Sequence, residues 1–329
     1  MSRNLSRLLS CAFAAAALLA PASALHAQPK SFATKPVRLV IPFPAGGATD
    51  VVGRIVGQRL AERLGQPVVV DNRAGSGGGV GTRFVANSDP DGHTLLLTAM
   101  GPISIGPTLN PNSGYNVSDL APVAVVFSYP MLIFVAQNSP YKTLKELIER
   151  GKPGRGNPLM YGSSGIGALS HLGGEMVNAA AGTNFQHVPY KGGAPLMLAL
   201  LSGEVQWALI GTADAKPQND KLRPLMVLAK ERSAYYPNTP TSKESGFQDL
   251  EPFLWVGVLV SGKTPKPIVA YLNKTITEIL QEPAIAARIK DLSADIGIPN
   301  NTPENFAAMI KAETPIYAKI IKATGAKAE

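Results

Sequence analysis

Several kinds of chemistry can be sought in this sequence, and each would rest on a few residues. Acyl transfer would use Ser163 or Ser164 as nucleophile, His171 as base and Asp214 as orienter. The segment YGSSGIG lacks the G-x-S-x-G turn that exposes a serine. A helix carrying His171 about two turns beyond the serines also leaves the pair too far apart to bond directly. Metal binding would use His171 and Glu175, which share a helix face, but two donors without a third hold no ion, and no metal is expected. Gly257 to Thr264 matches the phosphate-binding pattern G-x-x-x-x-G-K-S/T. Its intervening residues are mostly strand formers, and Pro265 and Pro267 follow where helix amides would have to meet phosphate. A strand ending in a proline-marked turn is expected there, and no cofactor.

A further kind of site needs no reactive side chain. Pro42 to Asp50 reads PFPAGGATD and joins a strand-like run, Val37 to Ile41, to a helix with apolar positions Val52, Ile55, Val56 and Leu60 that ends at Leu64 and Gly65. Thr49 is read as the cap of that helix. Gly46 and Gly47 then lie beside a helix N-terminus, whose first amides lack intrahelical partners and whose dipole favours negative charge. A small anion can be held there without a basic side chain. Three more such turns follow: NRAGSGGGVG at Asn72 to Gly81, GSSGIGALSHLGGEM after Tyr161, and YKGGAP after Pro189. The second has no three glycines at dinucleotide-fingerprint spacing. Lys191 is the cation inside the last of these turns and is read as a ligand or lobe-closure residue, against the alternative of a solvated loop lysine.

The elements that must position these turns alternate strand and helix. Pro67 to Asp71 and Thr94 to Thr98 follow as strands, which predicts a parallel sheet covered on both faces, with ligands beyond the carboxyl ends of its strands. Met100 to Pro102 reads as loop. The apolar runs APVAVVF and MLIFVAQ are separated only by Ser128 to Pro130, too little for a crossover helix, and mark a passage between two domains. Thr143 to Glu146 is a capping box opening a helix to Arg150. Strands at 159–161, 186–189, 204–210 and 225–229 make a second sheet, Pro195 suits the first turn of its last helix, and Leu254 to Val260 returns to the first domain. Helices over 268–280 and 303–323 close the chain.

The 329 residues are 45% hydrophobic and 16% charged, a globular balance with room for two domains. Arg3 and Arg7 precede an apolar run from Leu8 to Ala20 and small residues up to Ala27, so residues 1–27 read as a secretory signal peptide cleaved after Ala24 or Ala27. Cys11 faintly suggests a lipid-attachment site, but the apolar run follows the cysteine instead of preceding it, which excludes a lipoprotein. Removing the leader takes away two arginines and the only cysteine, lowering the formal charge from +8 to +6. Stability must then come from core burial and not from disulfides. Basic residues are scattered among acidic ones, with no stripe interleaved with aromatics, so nucleic acid is not an expected partner.

The ordered segments PFPAGGATD, VVVDNRAGSGGGVG, VANSDPDGHTLLL, YGSSGIGALSHLGGEM, HVPYKGGAP, KLRPLMVLAKERS and PTSKESGF resemble the Bug-type periplasmic receptors, the substrate-binding proteins of tripartite tricarboxylate transporters. The resemblance spans essentially the whole mature chain. It implies an α/β, two-lobed periplasmic-binding-protein fold of the second type, each lobe a sheet flanked by helices, closing on a small carboxylated ligand. The lobes are expected over residues 28–128 plus 252–329 and over 129–251. The ligand-binding set it implies is Phe43, Ala45, Gly46, Gly47, Thr49, Gly75, Ser76, Gly77, Gly78, Ser163, Ser164, Gly165, Gly167, His171, Lys191, Gly192 and Gly193. A periplasmic monomer working with an inner-membrane permease, or in sensing, is the implied setting; a secreted hydrolase using Ser163, Ser164 and His171 is the alternative. Leu209, Ile210 and a short stretch over 215–222 depart from the family pattern close to the expected ligand. Intact-mass measurement on periplasmic extract is predicted to find a cysteine-free chain beginning after Ala24 or Ala27, and a mass retaining Cys11 refutes the leader.

Overall fold

The computed structural model describes residues 32–247, 250 and 253–326; the leader read over 1–27, Cys11 included, lies outside them. In chain order the first elements are β1 (Val37–Ile41), α1 (Ala48–Leu64), β2 (Val68–Asn72), α2 (Gly79–Ala86), β3 (Thr94–Ala99), a π-helical turn (Gly101–Ile105), α3 (Gly106–Leu109) and β4 (Leu120–Ala136). There follow α4 (Leu144–Gly151), β5 (Met160–Ser163), α5 (Leu169–Ala181), β6 (Gln186–Pro189), α6 (Gly193–Ser202), β7 (Trp207–Gly211), α7 (Thr212–Ala215) and β8 (Leu222–Val227). The chain closes with β9 (Phe253–Ser261), α8 (Lys266–Gln281), α9 (Pro283–Asp291), β10 (Asp295–Ile296) and α10 (Pro303–Thr324).

Two sheets share β4. The first runs β2-β1-β3-β9-β4, with β1, β2 and β3 mutually parallel and β9 antiparallel to both β3 and β4. The second runs β4-β7-β5-β6, with β5, β6 and β7 parallel and β8 on the other edge of β4. The parallel arrangement expected from alternating strands and helices therefore holds for the strands that precede the glycine turns, and β4 and β9 run against them. The two apolar runs around Ser128 to Pro130 are one strand of 17 residues, not two. Its residues up to Pro130 pair with β9, and Met131 onward pair with β7. Pro130 stands where the strand changes neighbour, so its missing N–H interrupts little of either ladder.

Other expectations shift locally. The first helix begins at Ala48, with Gly47 as its extended N-cap and no side-chain cap, so Thr49 lies inside the helix and does not cap it. Gly65 ends it in the left-handed conformation, its N–H on the Ala61 carbonyl, as the Leu64-Gly65 stop requires. Met100 to Pro102 leads into helical turns instead of loop; a proline at the start of a helix sacrifices no bond, which is why it misleads as a breaker here. The Thr143 and Glu146 capping box forms as read, each side chain bonding the other's backbone N–H. Gly257 to Ser261 is strand, followed by a turn and a helix from Lys266 capped by Pro265, and a Cβ at Gly262 would stand 2.7 Å from the Ser118 carbonyl. The GKT match thus has no open cradle for phosphate.

The core lies along β4 and β9, with Val123 to Phe127, Ile133 to Val135 and Val256 enclosed. Tyr161 and Trp207, both fully enclosed, stack at 5.0 Å, and α5 packs over them through Gly174. A Cβ at Gly174 would stand 2.1 Å from the Tyr161 ring. Alanine gains about 1 kcal/mol in helix propensity there, but overpacking a core costs about 1–3 kcal/mol, and a ring fixed by Trp207 and by its bond to Glu175 has nowhere to go. Gly174→Ala is predicted to lower the melting temperature by several degrees in a calorimetric scan, with no gain from propensity.

Candidate functional site

Three helices begin at one cavity. α1 starts after Pro42 to Gly47, α5 after Ser163 to Ala168, and α6 after Tyr190 to Gly192. None of their N-caps, Gly47, Ala168 and Gly192, bonds its helix through a side chain. The first backbone bonds back to those caps come from Val51, His171 and Leu196. The amides of Thr49, Asp50, Leu169, Ser170, Gly193 and Ala194 are thereby left without a protein acceptor among the described residues. The cavity has a volume of about 100 Å³. Its walls are apolar where Met131, Leu209, Ile210 and Leu254 stand, and no Lys, Arg or His is among the described residues lining it.

The turn before α1 is held from behind. Asp50 accepts from Arg54 Nε and Nη2 at 3.0 Å, from the Gly46 N–H at 3.0 Å and from Asn72 Nδ2 at 3.0 Å, while Asn72 also donates to the Phe43 carbonyl. Burial works to raise the Asp50 carboxyl, but these hydrogen bonds outweigh it and hold it below the ordinary carboxylate range. Close approach across the cleft depends on absent side chains. A Cβ at Gly77 would stand 2.2 Å from the Ile166 carbonyl, and one at Gly101 would be 2.9 Å from that of Gly167.

Of the residues expected to bind ligand, Phe43, Ala45, Gly47, Thr49, Gly77, Ser164, Gly192 and Gly193 line the cavity. The others stand around it. Gly46 is exposed at φ +93°; Gly75 and Ser76 shape the turn before Gly77; Gly78 packs behind the wall, 2.5 Å from Pro102 where its Cβ would be. Ser163 is fully buried and shares a 2.6 Å hydrogen bond with His187 Nε2. Gly165 takes φ +134° beneath Tyr190, and Gly167 donates to His171 Nδ1 at 3.3 Å. His171 is buried and stacks on His187 at 4.0 Å. Burial pushes His171 down to about 4, and burial with the neighbouring imidazole takes His187 down to about 3, so both are neutral at physiological pH. Lys191 is solvent-exposed.

The acyl-transfer arrangement does not assemble. His171 bonds neither serine, Ser164 Oγ meets Ser170 Oγ at 3.1 Å, and Ser163, the serine that does meet an imidazole, has no surface. Glu175, the second half of the metal pair, accepts from Tyr161 OH at 2.5 Å.

Asp214 is a cavity residue outside the expected ligand-binding set. Asp214 sits at the carboxyl end of β7 in α7, with Oδ1 3.0 Å from the Ala48 N–H and Oδ2 3.2 Å from Tyr129 OH, and it lines the cavity. Burial raises its carboxyl above the ordinary value, against the Ala48 and Tyr129 bonds. Burial and then the charge of Asp214 push Tyr129 well up. The signal for Asp214 was its place directly after a strand end beside the departures at Leu209 and Ile210.

A family model described as "Tripartite tricarboxylate transporter family receptor" matches residues 52–326. The chain belongs to this family. This receptor is 33% identical to Protein BugT of Bordetella pertussis over 332 residues, spanning 98% of this chain and 99% of BugT. Its fold matches the structure of the periplasmic binding protein BugD with a TM-score of 0.83 at 35% identity, covering 90% of this chain and all 100% of BugD. It matches R. palustris Rpa4515 with adipate at a TM-score of 0.83 and 30% identity, covering 89% and 98%. The two-lobed periplasmic-binding fold implied by the ordered motifs is therefore the fold of this receptor, and its family is one of receptors. No helix among the described residues is long and apolar enough to cross a membrane.

Behind the cavity wall, Ser104 of the π-helical turn and Trp255 Nε1 both donate to Glu313 Oε1 of α10. Part of the Glu313 side chain reaches solvent, but its carboxyl end lies against two fully buried residues, and burial pushes it up to about 7 despite those donors. A carboxyl raised in the folded state binds more protons folded than unfolded, so stability falls as pH rises from about 4.5 to about 7. Glu313→Gln keeps an acceptor for both donors without the charge. Denaturant titrations are predicted to show the variant gaining on the wild type by about 1–3 kcal/mol between pH 5 and pH 8.

Proposed function

We propose that this receptor is exported to the periplasm, captures a small organic acid between two lobes spanning 28–128 plus 252–329 and 129–251, and delivers it to an inner-membrane permease of the tripartite type. It binds without catalysis and acts as a monomer. The observation that carries the reading is the convergence of the α1, α5 and α6 N-termini, with free first-turn amides, on one cavity lined by no basic side chain. Amide donors and helix dipoles hold carboxylates by this geometry alone. Two findings support it further: the family is one of transporter receptors, and a relative of the same fold, Rpa4515, carries adipate. Binding alone is favoured because no described serine, imidazole and carboxylate meet at the cavity.

Native mass spectrometry of freshly purified protein is the direct test, with a co-purifying small acid as the expected finding. Gly47 gives the matching variant. Its φ of −79° and ψ of 168° suit any residue, and a Cβ there would face the cavity 3.9 Å from Asp214 Oδ1. A ligand at 100 dissociation constants adds roughly 2.7 kcal/mol of stability, a melting shift of several degrees. Gly47→Val is predicted to fold normally and lose most of that shift. A folded variant with the full shift removes α1 from the binding site.

A further inference from the structure

Asp214 sets a condition on what this cavity takes. Its carboxylate has about four acceptor positions, of which the Ala48 N–H and Tyr129 OH fill two. Gly47 and Gly193 leave it open toward the starts of α1 and α6, since a Cβ on either would stand 3.9 and 3.7 Å from Oδ1. The other acid at the cavity, Asp50, is already matched by the fork of Arg54 and by Asn72. Among the described residues Asp214 has no such partner, and none of those lining the cavity is a cation.

The charge balance follows. Three helix N-termini offer roughly half a positive charge each. One of them, α1, already gives its first amide to Asp214. A dicarboxylate would bring two negative charges beside a third, among Met131, Leu209, Ile210 and Leu254, where repulsion is poorly screened. An acid that also carries an ammonium adds no net charge. Its carboxylate takes the free amides of Leu169, Ser170, Gly193 and Ala194, and its ammonium donates to the unused acceptor positions of Asp214.

Resting on the receptor reading above, we infer that the ligand carries a protonated nitrogen as well as its acid group, and that Asp214 is the residue that selects it. The test compares chain-matched probes on the wild-type receptor at pH 7: β-alanine against succinate, and γ-aminobutyrate against glutarate, by calorimetric titration. In at least one pair the amino acid is expected to bind at least tenfold tighter than its diacid. Asp214→Asn, which keeps the shape, and Asp214→Ser are expected to reduce that ratio at least tenfold, mainly by weakening the amino probe. A diacid binding as tightly as its amino partner, in every pair that binds, overturns the inference and leaves the receptor reading standing. If no probe binds, the acid identified by native mass spectrometry decides: one with a basic nitrogen supports the inference and one without overturns it. If no acid binds or co-purifies, the receptor reading itself fails, and the inference with it. The comparison on wild-type protein does not depend on either variant folding.

Discussion

Backbone amides at the starts of α1, α5 and α6 are the constraint around which this receptor is arranged. A helix must leave its first N–H groups unpaired, and a protein ordinarily satisfies them with a serine, threonine or aspartate cap. Here the caps are Gly47, Ala168 and Gly192, which have no side chain able to do so. Buried donors left without acceptors are costly, so donors turned to a common cavity amount to a standing demand for an acceptor from elsewhere. The glycines serve that demand by removing bulk. Gly77 and Gly101 bring one side of the cleft within backbone distance of Ile166 and Gly167 on the other.

The position of these helix starts follows from β4. One strand that pairs with β9 up to Pro130 and with β7 from Met131 onward fixes both sheets to a common line. The strand ends that lead into α1, α5 and α6, at β1, β5 and β6, then project their turns toward one cleft. Burial is concentrated on this shared strand and on β9, which also give Tyr129, Met131 and Leu254 to the cavity wall, so one side of the cavity is backed by the parts most costly to disturb.

Much of this was legible because it is local. The strand-turn-helix at PFPAGGATD, the Gly65 stop and the Thr143 and Glu146 capping box depend on residues within a few positions of one another. Threonine usually caps a helix, but the extended Gly47 and the anchoring of Asp50 to Gly46, Arg54 and Asn72 begin this one before Thr49. Proline normally ends a strand, and only the tertiary switch of neighbours makes Pro130 harmless within β4. Contacts between distant residues left no periodic signal. Asp214 and Tyr129 are 85 residues apart, and Ser163 finds His187 only because β5 and β6 pair in register. The ordered motifs carried the family because they record the turns, and the turns are the site's backbone; side chains that face the cavity from elsewhere are not part of them.

Asp214 ties these features together. Tyr129 lies on β4 just before the strand changes neighbour, Asp214 accepts its hydroxyl, and Asp214 also accepts from Ala48 at the start of α1. Thr212, two residues earlier in the same short helix, donates to the Ser293 carbonyl at 2.5 Å. The shared strand, the segment after β7 and the first glycine turn are therefore linked through hydrogen bonds that the protein supplies by itself. A conformational equilibrium moves only by the difference in a ligand's affinity for its two states. Asp214 bridges β4 and the start of α1 through the protein's own hydrogen bonds, so this arrangement is stabilised from within and a ligand adds only its own differential affinity. Any group that engages Asp214 must keep or replace its bonds to Ala48 and Tyr129, so the residue that reads the ligand's chemistry is also the one that couples the cavity to the strand joining the two sheets.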